Sequence, residues 1–181
     1  MTVTKAKKVK TVDERQFRSS SHREKVVEHV FLGELLRYLW VAEIAGVQVL
    51  KPEVDASGYD LVLSLGKVIR HVQLKTSMHD GKTQRQPVHQ KLGEHASGCV
   101  VWIVLNKDLT FACFRWYGAT PGKPLPDLTS FKRVMKAGLN AKGIKRQKKQ
   151  VWNVPKSKFV VVPDMAALVG TLFGAMPQAG T

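Results

Sequence analysis

The chain has 181 residues, 44% of them hydrophobic, and 29 Lys plus Arg against 14 Asp plus Glu give a formal net charge of +15. That length and apolar content exclude a wholly disordered chain and fit one domain with a sizeable core. The basic excess points to a polyanionic partner, nucleic acid ahead of an anionic membrane.

Cys99 and Cys113 form no CxxC pair and no Cys/His cluster at zinc spacing, so free thiols in a reducing cytosol are expected. No run of about 18 uncharged apolar residues occurs. The basic N-terminus lacks the apolar segment of a signal peptide. A soluble cytoplasmic protein with no membrane contact is expected.

From the N-terminus, residues 1–22 are polar and basic and read as a disordered arm that touches phosphates, or as a plain solvated tail. Residues 23–181 read as a single domain. A helix is predicted over 22–45, with Ser21 as N-cap and Glu24 closing a capping box. Its apolar side chains spread nearly all round, which predicts packing on more than one side. Glu34 falls in angle between Val27 and Val30, and Glu28 between Leu35 and Leu39, so periodicity singles out neither acid. Gly46 is expected to end the helix, with a short strand over 47–50 after it.

Residues 58–77, GYDLVLSLGKVIRHVQLKTS, read as a β-hairpin turning on Gly66-Lys67. A two-residue turn pairs Leu65 with Val68 and carries the register back to Asp60 opposite Gln73, their Cβ atoms about 5 Å apart. Lys75, two residues on, points to the same face. Tyr59, Leu61, Leu63, Leu65, Val72 and Leu74 make up the apolar opposite face. A sheet with one solvated face would also gather Asp, Gln and Lys together.

A polar stretch over 76–86 precedes a short helix expected over 87–95, opening on Pro87. A buried strand over 99–106, a turn at Lys107-Asp108, a second strand over 109–118 and a Pro/Gly-rich loop follow. Between Lys132 and Lys158 stand ten Lys or Arg and no acid. Lys142, Lys145, Arg146, Lys148 and Lys149 are its densest run, suited to neutralising phosphates. Trp152 within it serves either to stack on an unpaired base or to pack in the core. A strand over 158–162 and a helix capped by Asp164 close a mixed α/β pattern.

Asp60, the hairpin, Gln73-x-Lys75 and the preceding Gly33-Glu34 together resemble the PD-(D/E)xK nuclease superfamily, over roughly residues 24–106. The resemblance implies a restriction-endonuclease-like α/β fold, a central mixed β-sheet flanked by helices. It implies Mg²⁺- or Mn²⁺-dependent hydrolysis of DNA phosphodiester bonds. With no separate specificity domain visible in 181 residues, recognition of DNA structure or ends, or a partner that supplies sequence specificity, is expected. Asp60 becomes the metal-bridging carboxylate, Gln73 fills the second acidic position, and the Leu74 backbone carbonyl is a further ligand. Glu34 supplies the acid from the helix, with Glu28 and Glu43 as alternatives, and Lys75 orients or activates the attacking water. Mg²⁺ takes hard oxygen ligands and polarises phosphate and water, and an ammonium beside it is pressed to release its proton.

Two positions depart from that pattern. Tyr59-Asp60 stands in place of Pro-Asp, and Gln73 in place of a carboxylate removes one negative charge. A noncatalytic DNA- or RNA-binding protein on the same fold is the alternative. Asp55, five residues before Asp60, is of the type that serves a turn. DNA is favoured over RNA as partner, and a homodimer would match the two strands of a duplex.

Overall fold

The computed structural model describes residues 20–53, 58–139 and 145–174, with backbone alone at 20–21, 136–139 and 145–149. All but the last three residues of the expected N-terminal arm, and Asp55, lie outside the described residues. The elements run α1 (Ser20–Val41), β1 (Gln48–Leu50), β2 (Leu61–Leu65), β3 (Val68–Met78), β4 (Arg85–His89), β5 (Gly98–Leu105), β6 (Phe111–Gly118), β7 (Lys132–Leu139), β8 (Lys145–Pro155), β9 (Val160–Val162) and α2 (Met165–Phe173).

The main sheet has the strand order β1-β2-β3-β5-β6-β9. It is mixed: β3 and β5 run parallel and the other neighbours antiparallel. Strand β5 is buried at every residue because both its faces are covered. Cys99, Val101, Ile103 and Leu105 pack with the apolar faces of α1 and α2. Val100 and Trp102 point the other way, into a second core closed by the small antiparallel sheet β4-β8-β7. The fold is therefore a central mixed sheet flanked by helices, with both helices on one face and three strands on the other.

Helix α1 buries Val27, Phe31, Leu35 and Leu39, a stripe at four-residue steps. It is not packed on more than one side: Leu36, Trp40 and Val41 are exposed, Trp40 by 85%. It also ends before Gly46. Ile44 N–H donates to the Leu39 carbonyl at 2.9 Å and Glu43 N–H to that of Trp40 at 3.1 Å. With Glu43 at φ 57°, this is a Schellman closure built on a residue other than glycine. The helix already includes Ser20, so Ser21 lies inside it and is not the N-cap.

The hairpin register is the predicted one, from Leu65 opposite Val68 to Leu61 opposite Val72. Gly66 at φ +58° supplies the sign that a primed two-residue turn needs at its first position. One other expectation is corrected. Pro87 opens no helix; it lies in β4, the edge strand of the small sheet, where its missing N–H is tolerated, and the helix expected over 87–95 is reduced to a 3-10 helix at Gln90–Glu94. The basic segment after Lys132 forms a β-hairpin, β7–β8.

Arg70 is fully buried and ties α2 to the sheet. Its Nε donates to the Leu172 carbonyl at 2.6 Å, Nη2 to Thr171 at 3.2 Å and Nη1 to Ala119 at 2.8 Å. A cation at the carbonyl end of a helix is also favoured by the helix dipole. At the other end of α2, Asp164 Oδ1 accepts from Ala167 N–H at 2.8 Å, the cap read from the sequence. Burial lowers the Arg70 pKa and pushes the Cys99 thiol up to about 12. Among the described residues no helix is long and apolar enough to cross a membrane.

Candidate active site

Strand β3 has eleven residues and β2 only five, so the hairpin ladder stops short. Its last backbone contact is Asp60 N–H to the Val72 carbonyl, 2.9 Å. Beyond it β3 continues beside β5 on one edge, Gln73 opposite Val100 and Lys75 opposite Trp102. On its other edge β2 has departed. There the Asp60 side chain takes over the ladder: Leu74 N–H donates to its Oδ2 at 2.6 Å. The N–H and C=O of one strand residue point the same way, so the Leu74 carbonyl faces this opened edge too. Two residues on, the Thr76 carbonyl accepts from Gln86 Nε2 at 3.4 Å.

A cleft of about 660 Å³ opens at this fork, lined by Asp60, Gln73, Leu74 and Lys75 together with Glu28 of α1 and Gln86 of β4. The structure thus brings the hairpin residues together. Gln73 is only 8% exposed, and its Oε1 is buried without a hydrogen-bond partner. An unmade buried acceptor costs about 1–3 kcal/mol, which an arriving donor or cation would relieve.

Glu34 is not part of this cleft. It pairs with Arg37 at 2.6 Å and borders a separate, largely apolar groove with Asp108 and Asp164. The buried acid that α1 contributes is Glu28, six residues earlier, about 9 Å along the axis and about 120° round it, with the exposed Glu24 also on the cleft wall. The neighbours of Glu28 in angle, Leu35 and Leu39, are both buried against the sheet, which the structure alone reveals. The Gly-Glu context of Glu34 misdirects. Glu43 sits in the closing turn of α1 and does not line the cleft.

Glu28 receives Lys51 Nζ at 2.5 Å and Lys25 Nζ at 3.2 Å. Burial works against its charge, but the two ammonium groups outweigh burial and hold its carboxyl below the usual range. Lys51 went unrecognised in the sequence; Gln86, expected beside the site on the solvated face of a short helix, lines the cleft from β4 instead. The Lys51 contact joins distant segments and leaves no local trace. Gln86 had one, since Gln86 and Val88 alternate inward along β4.

Tyr59 leaves the apolar face assigned to it and packs with the second core. It meets His71 and His95 edge-on at 4.9 and 5.0 Å, and those two rings stack at 4.6 Å. Residue 59 precedes β2, so strand alternation does not bind it. Trp152 is buried, donates from Nε1 to Gln90 Oε1 at 3.3 Å and lies under Arg133, so its ring is not open to a base. Lys142 lies outside the described residues. Lys145, Arg146, Lys148 and Lys149 fall on β8 where its backbone alone is described.

Asp60, Gln73 Oε1 and the Leu74 carbonyl are hard oxygen donors, and the orphaned Gln73 oxygen fits a divalent cation such as Mg²⁺ or Mn²⁺. Among the described residues no three His, Cys, Asp or Glu converge, and two of these three oxygens are amide carbonyls.

No protein-family model and no curated protein matches the chain. Among solved structures a bacterial homing endonuclease, I-Ssp6803I, is similar at 18% identity and a TM-score of 0.33, over 70% of this chain and 79% of that chain.

Proposed function

We propose that the cleft at the β2–β3 fork hydrolyses phosphodiester bonds of nucleic acid, DNA in preference to RNA, on a restriction-endonuclease-like fold. One observation carries the reading. Asp60, Gln73, the Leu74 carbonyl and Lys75 line one cleft at the point where β2 leaves β3, and the Gln73 oxygen is unsatisfied. The net charge of +15 supports a polyanionic substrate.

Asp60, Gln73 and the Leu74 carbonyl would hold Mg²⁺ or Mn²⁺, which supplies Lewis-acid charge and a template when bound. The Leu74 N–H fixes the Asp60 carboxylate in orientation. Lys75 orients the attacking water and offsets negative charge on the phosphate oxygens. The water oxygen forms the new P–O bond, the ester bond breaks, and the leaving oxygen takes a proton.

A specific observation favours a second reading, a noncatalytic nucleic-acid-binding protein. Glu28 is already neutralised by Lys25 and Lys51, and Gln73 brings no charge, so the cleft offers a cation less negative charge than a pair of carboxylates would. Cleavage of supercoiled, linear, single-stranded and branched DNA in Mg²⁺, Mn²⁺ and EDTA decides between them, with Lys75→Ala beside wild type. Metal-dependent cutting lost in the variant supports the nuclease. Equal DNA binding with no cutting by either protein moves the assignment to the second reading.

A further inference from the structure

A cavity of about 100 Å³ lies along the same face of β3, beyond Lys75. Its walls include Ser77, His79, Arg115 and Lys156, and no carboxylate. Arg115 Nε is buried and has no hydrogen-bond partner. Its guanidinium lies 5.9 Å from the centre of the Trp102 ring, which packs beneath it. Trp102 Nε1 in turn donates to Ser77 Oγ at 2.9 Å, so the Ser77 hydroxyl proton is left to donate elsewhere. Lys156 is held at the wall by its backbone N–H, which donates to the Gln84 carbonyl at 2.8 Å.

A buried guanidinium N–H without an acceptor, in a basic cavity without a counter-charge, is complemented by a small oxyanion. Ser77 and Lys75 stand two residues apart on one strand face, about 6.6 Å. That separation is short enough for one nucleic-acid strand to place consecutive phosphates at both. We infer that Arg115, Lys156 and Ser77 form a phosphate pocket that holds the phosphate next to the one at Lys75. Its substrate rests on the function proposed above; its anion chemistry does not.

The test titrates inorganic phosphate into the full chain, against NaCl of matched ionic strength, and reads Tm and ³¹P linewidth. Wild type and Lys75→Ala should both gain thermal protection, while Arg115→Met and Lys156→Met should gain much less. Lys156→Met, at a partly exposed side chain, carries the test where Arg115→Met itself lowers Tm. In parallel, a single-stranded oligonucleotide should bind Lys156→Met about tenfold more weakly, with its salt slope reduced by about one.

Unchanged phosphate protection in both Met variants overturns the pocket. Lost protection with unaltered oligonucleotide binding overturns the nucleic-acid source and leaves a free oxyanion as the ligand. The phosphate titration needs no turnover, so a wild type that shows the pocket but never cuts DNA counts against the nuclease reading alone.

Discussion

The carboxylate of Asp60 accepts the backbone N–H of Leu74 at 2.6 Å, and this contact stands where a strand–strand hydrogen bond would otherwise be. It lets β2 leave β3 without stranding a buried donor, and it aims the carboxylate at the cleft. Asp60→Asn keeps an acceptor for that N–H and removes the charge. It should retain stability within about 1 kcal/mol of wild type and lose cleavage. Asp60→Ala leaves the donor unmade and should cost about 1–3 kcal/mol as well. Urea denaturation run beside the cleavage assay separates the two effects. An Asp60→Asn protein that still cuts would reduce Asp60 to a backbone cap.

Gln73→Glu places a carboxylate where an unsatisfied amide oxygen now sits. Mn²⁺ affinity should rise at least about tenfold by titration calorimetry, because a second charge joins Asp60. Without metal the variant should be less stable than wild type, since a carboxylate at 8% exposure loses much of its hydration. Unaltered Mn²⁺ affinity would place the ion elsewhere.

The Glu28 carboxyl titrates below its unfolded value, with Lys51 and Lys25 overcoming its burial. A depressed carboxyl contributes stability that is full above the unfolded pKa and fades as pH falls through the folded one. The Tm difference between wild type and Glu28→Gln should therefore be largest near neutrality. It should shrink as pH falls below about 4.3, where the unfolded chain's carboxyl takes up a proton before the folded one does. A difference independent of pH from 3 to 7 would mean that the two ion pairs contribute no net stability.

Arg70→Met keeps most of the side-chain volume but abandons the carbonyls of Leu172, Thr171 and Ala119. The expected loss is on the order of 3–5 kcal/mol in urea, with α2 loosened first in hydrogen exchange. DNA binding per folded molecule should be unaltered, because Arg70 lies on the helix-covered face and does not line the cleft.

The hairpin was legible because its determinants are local. A two-residue turn and a period of two define which residues oppose which, and a one-residue slip would turn Leu61 and Leu63 to the wrong face. Asp60, Gln73 and Lys75 are close together in the sequence chemistry and in the fold alike. The Asp164 cap is local in the same way.

Glu28, Lys51, Gln86 and Arg115 acquire their surroundings only when segments far apart in the chain pack together. Which helix acid meets the fork depends on which side of α1 the sheet covers, and no spacing along the helix contains that choice. The basic stretch after Lys132 conceals a strand because its Lys and Arg outnumber the inward Trp152 and Val154, whose burial requires the second face of the main sheet. Turn length and side-chain alternation were thus determined by the sequence itself, through short-range sterics. The completed cleft and the basic cavity beside it were decided by tertiary packing, which alone buries a polar atom and sets its neighbours.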